Sequence, residues 1–510
     1  MPLSDPGGPP RGDPLSVRHL RSGLGARSLR GGAVTMLAQV AKTILQLGSV
    51  AVLARLLAPE AFGLVAMVAV VMMLLEQFKD LGLSTATVQR EEITHGQISG
   101  LFWVNVALGI AVAAAACAMA PAVAAFYGHP ELVPIMLWLA VGFVFSGLGT
   151  QHMALLRRQM RYPALAAVQL AAEVAGLGAA VIAALWGADY WSLVIQRLAW
   201  AVVLTAGAWL ACGWRPGPPR RHQGLRALIG FGGNITGANL INFATRNLDM
   251  VLIGWWWGSA ALGLYERSTK LLMTPLNSLN APLFAVVMPA LSRLAGEPQA
   301  YRRAYLNVLE KLVMTTTPFA AILVVEPEAV VRLVLGPGWS EAAPIVGWLG
   351  VAALYQPATY TCSWLFMSQD RSRDMLRWGV IGSTMTAVSI VAAVPFGPVA
   401  VAASYSLSGL LVRLPALFWM VGRRGPVSTL DLFRALLPSA AIGAVIILVV
   451  GQSHRIAALA ALPAPASLGV ALLAAAAIAM ACFAAIPRSR RALVEMARMP
   501  AAMLHRERSA

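Results

Sequence analysis

The feature that most constrains this chain is a succession of apolar stretches, each long enough to cross a bilayer, joined by short loops. A spanning helix needs roughly 20 apolar residues, because lipid offers no partner to an unsatisfied backbone group. Fourteen stretches qualify, at about 33–57, 61–84, 97–122, 132–155, 163–186, 191–213, 227–256, 260–290, 306–326, 341–367, 376–395, 398–421, 435–451 and 466–486. Only 12% of residues are charged and 58% are hydrophobic. A soluble domain carries roughly 25% charged residues, so a single water-soluble core is excluded.

The loops carry a second signal. The chain has a formal net charge of +17, which alone would suggest nucleic acid. The arginines instead fall after even-numbered stretches: Arg90; Arg157, Arg158 and Arg161; Arg215, Arg220, Arg221 and Arg226; Arg293, Arg302 and Arg303; Arg371, Arg373 and Arg377; Arg423, Arg424 and Arg434. The loops LAPEA, YGHPE, WGADY, WGSAA and PFGP hold no Lys or Arg, and the other two odd-numbered exits hold only Arg332 and Arg455. By the positive-inside rule both termini are expected in the cytoplasm, and nucleic acid drops out as a partner. The bare side also carries amphipathic rings, Phe126, Tyr127, Trp186, Tyr190, Trp191, Trp255, Trp256 and Trp257, as membrane interfaces favour.

This pattern predicts an all-α integral membrane protein. Residues 1–32 read as a disordered, basic cytoplasmic segment without the apolar core of a signal peptide. A six-helix bundle is expected over 33–213, a basic cytoplasmic linker over 214–226 and a second six-helix bundle over 227–421. Two additional helices occupy 435–486. The basic tail 487–510 is either a surface-lying amphipathic helix or a solvated segment. Cys117, Cys212, Cys362 and Cys482 lie far apart in apolar runs and suggest neither a metal nor a disulfide framework.

The two bundles share an internal pattern offset by 200 residues. AFGL at 61–64 recurs as ALGL at 261–264. Gln39, Lys42, Gln46 and Ser49 step by three and four along one helix face, and Asn239, Asn242, Arg246 and Asp249 repeat that stripe. Six spans separate the copies, so both halves point the same way, the parallel-repeat plan of a transporter with its site between the halves.

Charges inside the membrane mark that site, since an ionisable group at mid-bilayer costs about 2.5–3.5 kcal/mol on insertion scales. Lys42, Arg246, Arg267 and Lys270 are cationic; Asp249 and Glu266 are acidic. The sum is net positive and suits a diphosphate. Either these cations hold substrate, or Arg246–Asp249 and Glu266–Lys270 are closed structural pairs. Arg267, Lys270, Thr274 and Asn277 form one stripe, whose equivalents Met67, Val70, Leu74 and Gln77 are nearly apolar. Gln39, Gln46, Asn239, Asn242, Asn277 and Glu173 add polar or coupling candidates, Glu173 being either a proton site or an interhelical contact. Glu76, Lys79 and Asp80 are gate candidates. Arg55, Arg197 and Arg413 are expected to snorkel to an interface. Gly233 to Gly237 is a GxxxG match, and Pro275, Pro282 and Pro289 imply bends at sevenfold spacing.

Several stretches then carry a family resemblance: LARLLAPEAFGLVAMV (53–68), DLGLSTATVQR (80–90), GLFWVNVALG (100–109), APAVAAFYGHPEL (120–132), LLRRQMRY (155–162), NLDMVLIG (247–254), LGLYERSTKLL (262–272) and VVMPALSRL (286–294). They resemble the Wzx-type oligosaccharide flippases of the polysaccharide transporter family, near the colanic-acid-exporter branch. The resemblance implies a MATE-like, multidrug-exporter-like fold of two six-helix bundles plus two helices. It implies translocation of undecaprenyl-diphosphate-linked oligosaccharide across the bacterial inner membrane, with membrane lipids, a polysaccharide polymerase and glycosyltransferases as partners. No active-site motif is transferred with it.

The sequence contains no Walker A motif, no HExxH and no long soluble insertion, so neither a cofactor, a metal nor an enzymatic activity is expected. A cation-coupled multidrug exporter of the same fold would favour an acidic cavity. A membrane polymerase or ligase would call for a sizeable outer loop with catalytic Arg or His, and the outer loops here are short.

Overall fold

The computed structural model describes residues 24–79, 84, 87–88, 93–219, 246–452 and 464–485, and all regular structure among them is helical. In the first part of the chain these are α1 (Leu24–Leu56), α2 (Pro59–Glu76), α3 (His95–Tyr127), α4 (Leu132–Arg158), α5 (Tyr162–Leu185) and α6 (Trp191–Cys212). The second part holds α7 (Leu248–Arg293), α8 (Pro298–Val325), the short α9 (Pro327–Val334), α10 (Ala343–Ser368) and α11 (Ser372–Ala393). It ends with α12 (Pro398–Ser408), α13 (Leu414–Gly422), α14 (Thr429–Gly451) and α15 (Ala464–Ala485). A π-helical turn over Gly409–Arg413 joins α12 to α13.

Eleven of the described helical segments are long and apolar enough to cross a membrane. Three of the fourteen expected spans are not among them. The stretch 227–256 lies mostly outside the described residues. The stretch 260–290 falls within α7, and 341–367 corresponds to α10. A straight α7 of 46 residues would run about 69 Å, more than twice the hydrocarbon thickness. Its helical dihedrals break at Gly258 (φ 78°, ψ −172°), a conformation that excludes most side chains. The break in helical dihedrals therefore falls on this glycine, just before the stretch that holds Pro275, Pro282 and Pro289.

The chain divides into two compact units, Met1–Gln46 with Val68–Phe243, and Leu47–Met67 with Ala244–Ala510. In the first, α3 to α6 pack as neighbours. A reciprocal capping box of Thr94 and Gln97 starts α3, satisfying N–H groups that the first helical turn leaves open. The start of the expected 214–226 linker is docked: Trp214 is buried, His152 Nε2 lies 3.2 Å from its carbonyl, and Gly217 donates its N–H to Ser99 Oγ at 2.9 Å.

The second unit has its core where α8, α10, α13 and α14 meet, around Tyr301, Tyr305, Trp364, Leu365 and Phe418. Tyr301 and Ser368 share a hydrogen bond, as do Tyr305 and Thr361. Arg371 pairs with Asp374 and donates to the carbonyls of Met420 and Val421 at the end of α13. A cation there satisfies orphan carbonyls and matches the helix dipole. Arg302 similarly pairs with Asp431, whose carboxylate also caps α14 with Ser428. Some loop arginines thus hold helix ends together.

Also within the second unit, the start of α2 crosses the segment of α7 that follows Gly258. A Cβ on Gly63 would strike the Ser259 carbonyl, and a Cβ on Gly263 would strike the Pro59 carbonyl. These two clashes are equivalent under the 200-residue shift. AFGL and ALGL therefore meet at a reciprocal backbone contact that only glycine permits.

Candidate functional site

The charged cluster of the second half grows out of this crossing. Beyond Gly263, α7 carries Tyr265, Glu266, Arg267 and Lys270 within about one and a half turns. Glu266 is 4% exposed. Its carboxylate takes Arg267 Nε at 2.7 Å through one oxygen and Lys270 through the other. Two cations thus share one carboxylate, and the three side chains carry one net positive charge. The Arg267 guanidinium also lies 4.1 Å from the centre of the Phe62 ring, a cation–π contact that steadies it in an apolar setting. Phe62 in turn meets Trp339 edge-on at 5.3 Å, and the Trp339 indole donates to the Ala54 carbonyl.

Asp249 does not pair with Arg246. The chain turns at Asn247 (φ −118°, ψ 8°) and α7 begins at Leu248, so the two side chains lack the i,i+3 relation of one continuous helix. The Asp249 carboxylate instead accepts the Tyr265 hydroxyl at 2.9 Å and the Met250 N–H at 2.9 Å. Arg246 is exposed. Asn277 is exposed as well.

In the first unit, α1 has two unlike faces. Leu37, Val40 and Ile44 are 57–74% exposed on one face. Gln39, Lys42 and Gln46 lie two positions on along the helix, close to its opposite side. Lys42 Nζ is 3.6 Å from Glu173 Oε1 on α5, and the Gln46 amide donates to the same oxygen at 3.4 Å. Gln39 contributes its carbonyl to Thr43. Glu173 is thus brought to Lys42, a cation for which the sequence had suggested no partner.

Glu76 and Lys79 pair at 2.8 Å at the end of α2; Asp80 lies outside the described residues, as do Asn239, Asn242 and Gly233 to Gly237. Arg55 donates to the Leu333 carbonyl at 2.6 Å. Arg413 differs from the snorkelling expected of it. Placed by the π-helical turn, it donates to the Tyr405 carbonyl and to Thr386 Oγ1 and lies over the Tyr405 ring. Such turns often accompany functional positions. Around it, Gln356 donates to the Tyr405 hydroxyl at 3.1 Å, and the Tyr360 hydroxyl faces Gln356 Oε1 at 3.3 Å. Hydropathy gave no sign of this polar group, because its tyrosines count as apolar.

Comparison with known proteins identifies the family. Residues 52–344 match the family model described as "Polysaccharide biosynthesis protein". The chain is 25% identical over 327 residues to the teichuronic acid biosynthesis protein TuaB of Bacillus subtilis (strain 168), covering 62% of this chain and 66% of that protein. It is 25% identical over 394 residues to the lipopolysaccharide biosynthesis protein WzxC of Escherichia coli (strain K12), covering 76% of this chain and 79% of that one. The chain therefore spans just under two thirds of the first relative's length and more of the second. Among solved structures, the lipid II flippase MurJ in an inward closed conformation superposes with a TM-score of 0.70 over 89% of this chain and 99% of that chain, at 12% identity. An inward-facing multidrug resistance MATE family transporter of the MOP superfamily gives 0.59 over 79% and 99%, at 13% identity. These likenesses show the fold alone. With eleven apolar helical segments of spanning length, this multi-pass membrane protein belongs to the polysaccharide biosynthesis protein family.

Proposed function

We propose that the protein is a flippase for undecaprenyl-diphosphate-linked oligosaccharide, acting in the bacterial inner membrane during surface or exopolysaccharide synthesis. The observation that carries this reading is the Glu266–Arg267–Lys270 cluster, one carboxylate shared by two cations in the middle of α7. A net positive group in a low-dielectric setting favours a strongly anionic headgroup, and a diphosphate offers several charge-assisted acceptors. The sequence relatives, named for teichuronic acid and lipopolysaccharide biosynthesis, point to the same substrate class. In this reading Arg246, Arg267, Lys270 and Lys42 meet the diphosphate while the polyprenyl tail stays in lipid.

The architecture we propose has fourteen spans with cytoplasmic termini, as two parallel six-helix repeats followed by two further helices. The reciprocal contact of Gly63 with Ser259 and Gly263 with Pro59 supports the repeat. A polymerase and glycosyltransferases would supply and consume the substrate. Multidrug export, the alternative with the same fold, fits the cationic cluster less well.

The test is deletion of the gene followed by a search for lipid-linked oligosaccharide on the inner face of the membrane. The expected result is its accumulation and loss of surface polysaccharide, restored by the wild-type chain. Normal surface polysaccharide with no accumulation would refute the reading.

A further inference from the structure

The Lys42–Glu173 contact is poorly explained as scaffolding. Both groups belong to membrane-spanning helices, where an ion pair contributes less than well-packed apolar side chains of similar size. Their separation of 3.6 Å is loose, and their side chains remain 31% and 20% accessible, so another anion can reach them. The opposite face of α1 exposes Leu37, Val40 and Ile44, which places the polar stripe away from the apolar exposed side. Gln46, one turn from Lys42, donates to the same Glu173 oxygen at 3.4 Å. Glu173 therefore has a neutral donor that can hold it when the ammonium turns elsewhere.

We infer that Glu173 is a stand-in anion: it neutralises Lys42 in the empty protein and yields the ammonium to the substrate diphosphate, staying on Gln46. This rests on the flippase reading and specifies how one of its cations is kept ready. A bare ammonium at this depth would be costly. A permanent, tight ion pair would be unable to bind substrate. A loose pair with a second donor avoids both. No atom is transferred; one anion replaces another on the same nitrogen.

The consequence is counter-intuitive, because removing a polar contact should strengthen binding. The full-length protein would be placed in lipid nanodiscs and titrated with farnesyl diphosphate, a short polyprenyl diphosphate. Glu173→Gln should bind about tenfold tighter than wild type, which corresponds to about 1.4 kcal/mol of lost competition. Lys42→Gln should bind about tenfold more weakly. The double variant, neutral at both positions and so spared a lone charge, should bind like Lys42→Gln, since the competition acts only through the lysine. A purely structural Glu173 would leave the affinity unchanged or weaken it, and either result overturns the proposal. So does tightening that persists without Lys42. If wild type binds no farnesyl diphosphate, the flippase reading itself fails; if it binds but Glu173→Gln does not tighten it, only the stand-in role fails.

Discussion

The start of α2 and the segment of α7 that crosses it share a short sequence pattern offset by 200 residues. Residues 59–70 read PEAFGLVAMVAV and residues 259–270 read SAALGLYERSTK. Where the two backbones touch, the versions agree: Gly63 and Gly263 contact each other's neighbouring chain reciprocally, and Phe62, Leu262, Leu64 and Leu264 are all buried. Past the crossing they part. Ala66, Met67 and Val70 are buried and apolar, while the equivalent Glu266, Arg267 and Lys270 form an ion cluster. Val65 has no polar group, while its equivalent Tyr265 holds Asp249. The backbone contact of the crossing is made by glycines and carbonyls, while Arg267 also lies over the Phe62 ring.

The largest effect on stability should come from breaking the cluster without removing it. Glu266→Gln leaves Arg267 and Lys270 without their shared carboxylate. Lys270 is partly accessible, so the loss falls mainly on the buried Arg267, and a large drop in melting temperature in detergent is expected. Next is the contact common to both helices. Gly63→Ala and Gly263→Ala each force two backbones apart, at about 1–3 kcal/mol, and the two losses should be similar because the contact is reciprocal. Gly48→Ala, where an added Cβ meets nothing within 4 Å, should melt like wild type. Unequal losses at 63 and 263 would break the comparison. Tyr265→Phe removes the donor that Asp249 uses and should cost about 1–2 kcal/mol, with no matching effect for Val65→Ile on the other helix. Smallest is Arg55→Met: this exposed side chain makes one hydrogen bond to a backbone carbonyl, and its loss should leave the melting temperature unchanged.

Local properties of the chain were legible in the sequence, and relations between distant segments were not. The apolar stretches announce their helices because lipid permits few alternatives. The 200-residue pattern was visible as AFGL and ALGL, although only the structure shows these motifs touching. The pairing of Lys42 with Glu173 joins α1 to α5 and has no spacing signal. The expected Arg246–Asp249 pair assumed one continuous helix, but α7 starts between them. The residue of α7 that leaves helical dihedrals is Gly258, whose positive φ no hydropathy pattern reveals. Arg413 lies near a loop in sequence but is turned onto Tyr405 and Thr386 by a π-helical turn.

In the flippase proposed above, the charges of α7 serve transport and not folding, and the decisive variant gives α7 the side chains found 200 residues earlier, Glu266→Ala, Arg267→Met and Lys270→Val together. Translocation of lipid-linked oligosaccharide would be measured in vesicles from a deletion strain, alongside the melting temperature of the purified protein. Replacing a buried ion cluster with apolar groups is often neutral or stabilising. The variant should therefore melt at or above the wild-type temperature while translocation falls at least about tenfold, a barrier change of about 1.4 kcal/mol or more. A stable variant that translocates at the wild-type rate would contradict the account.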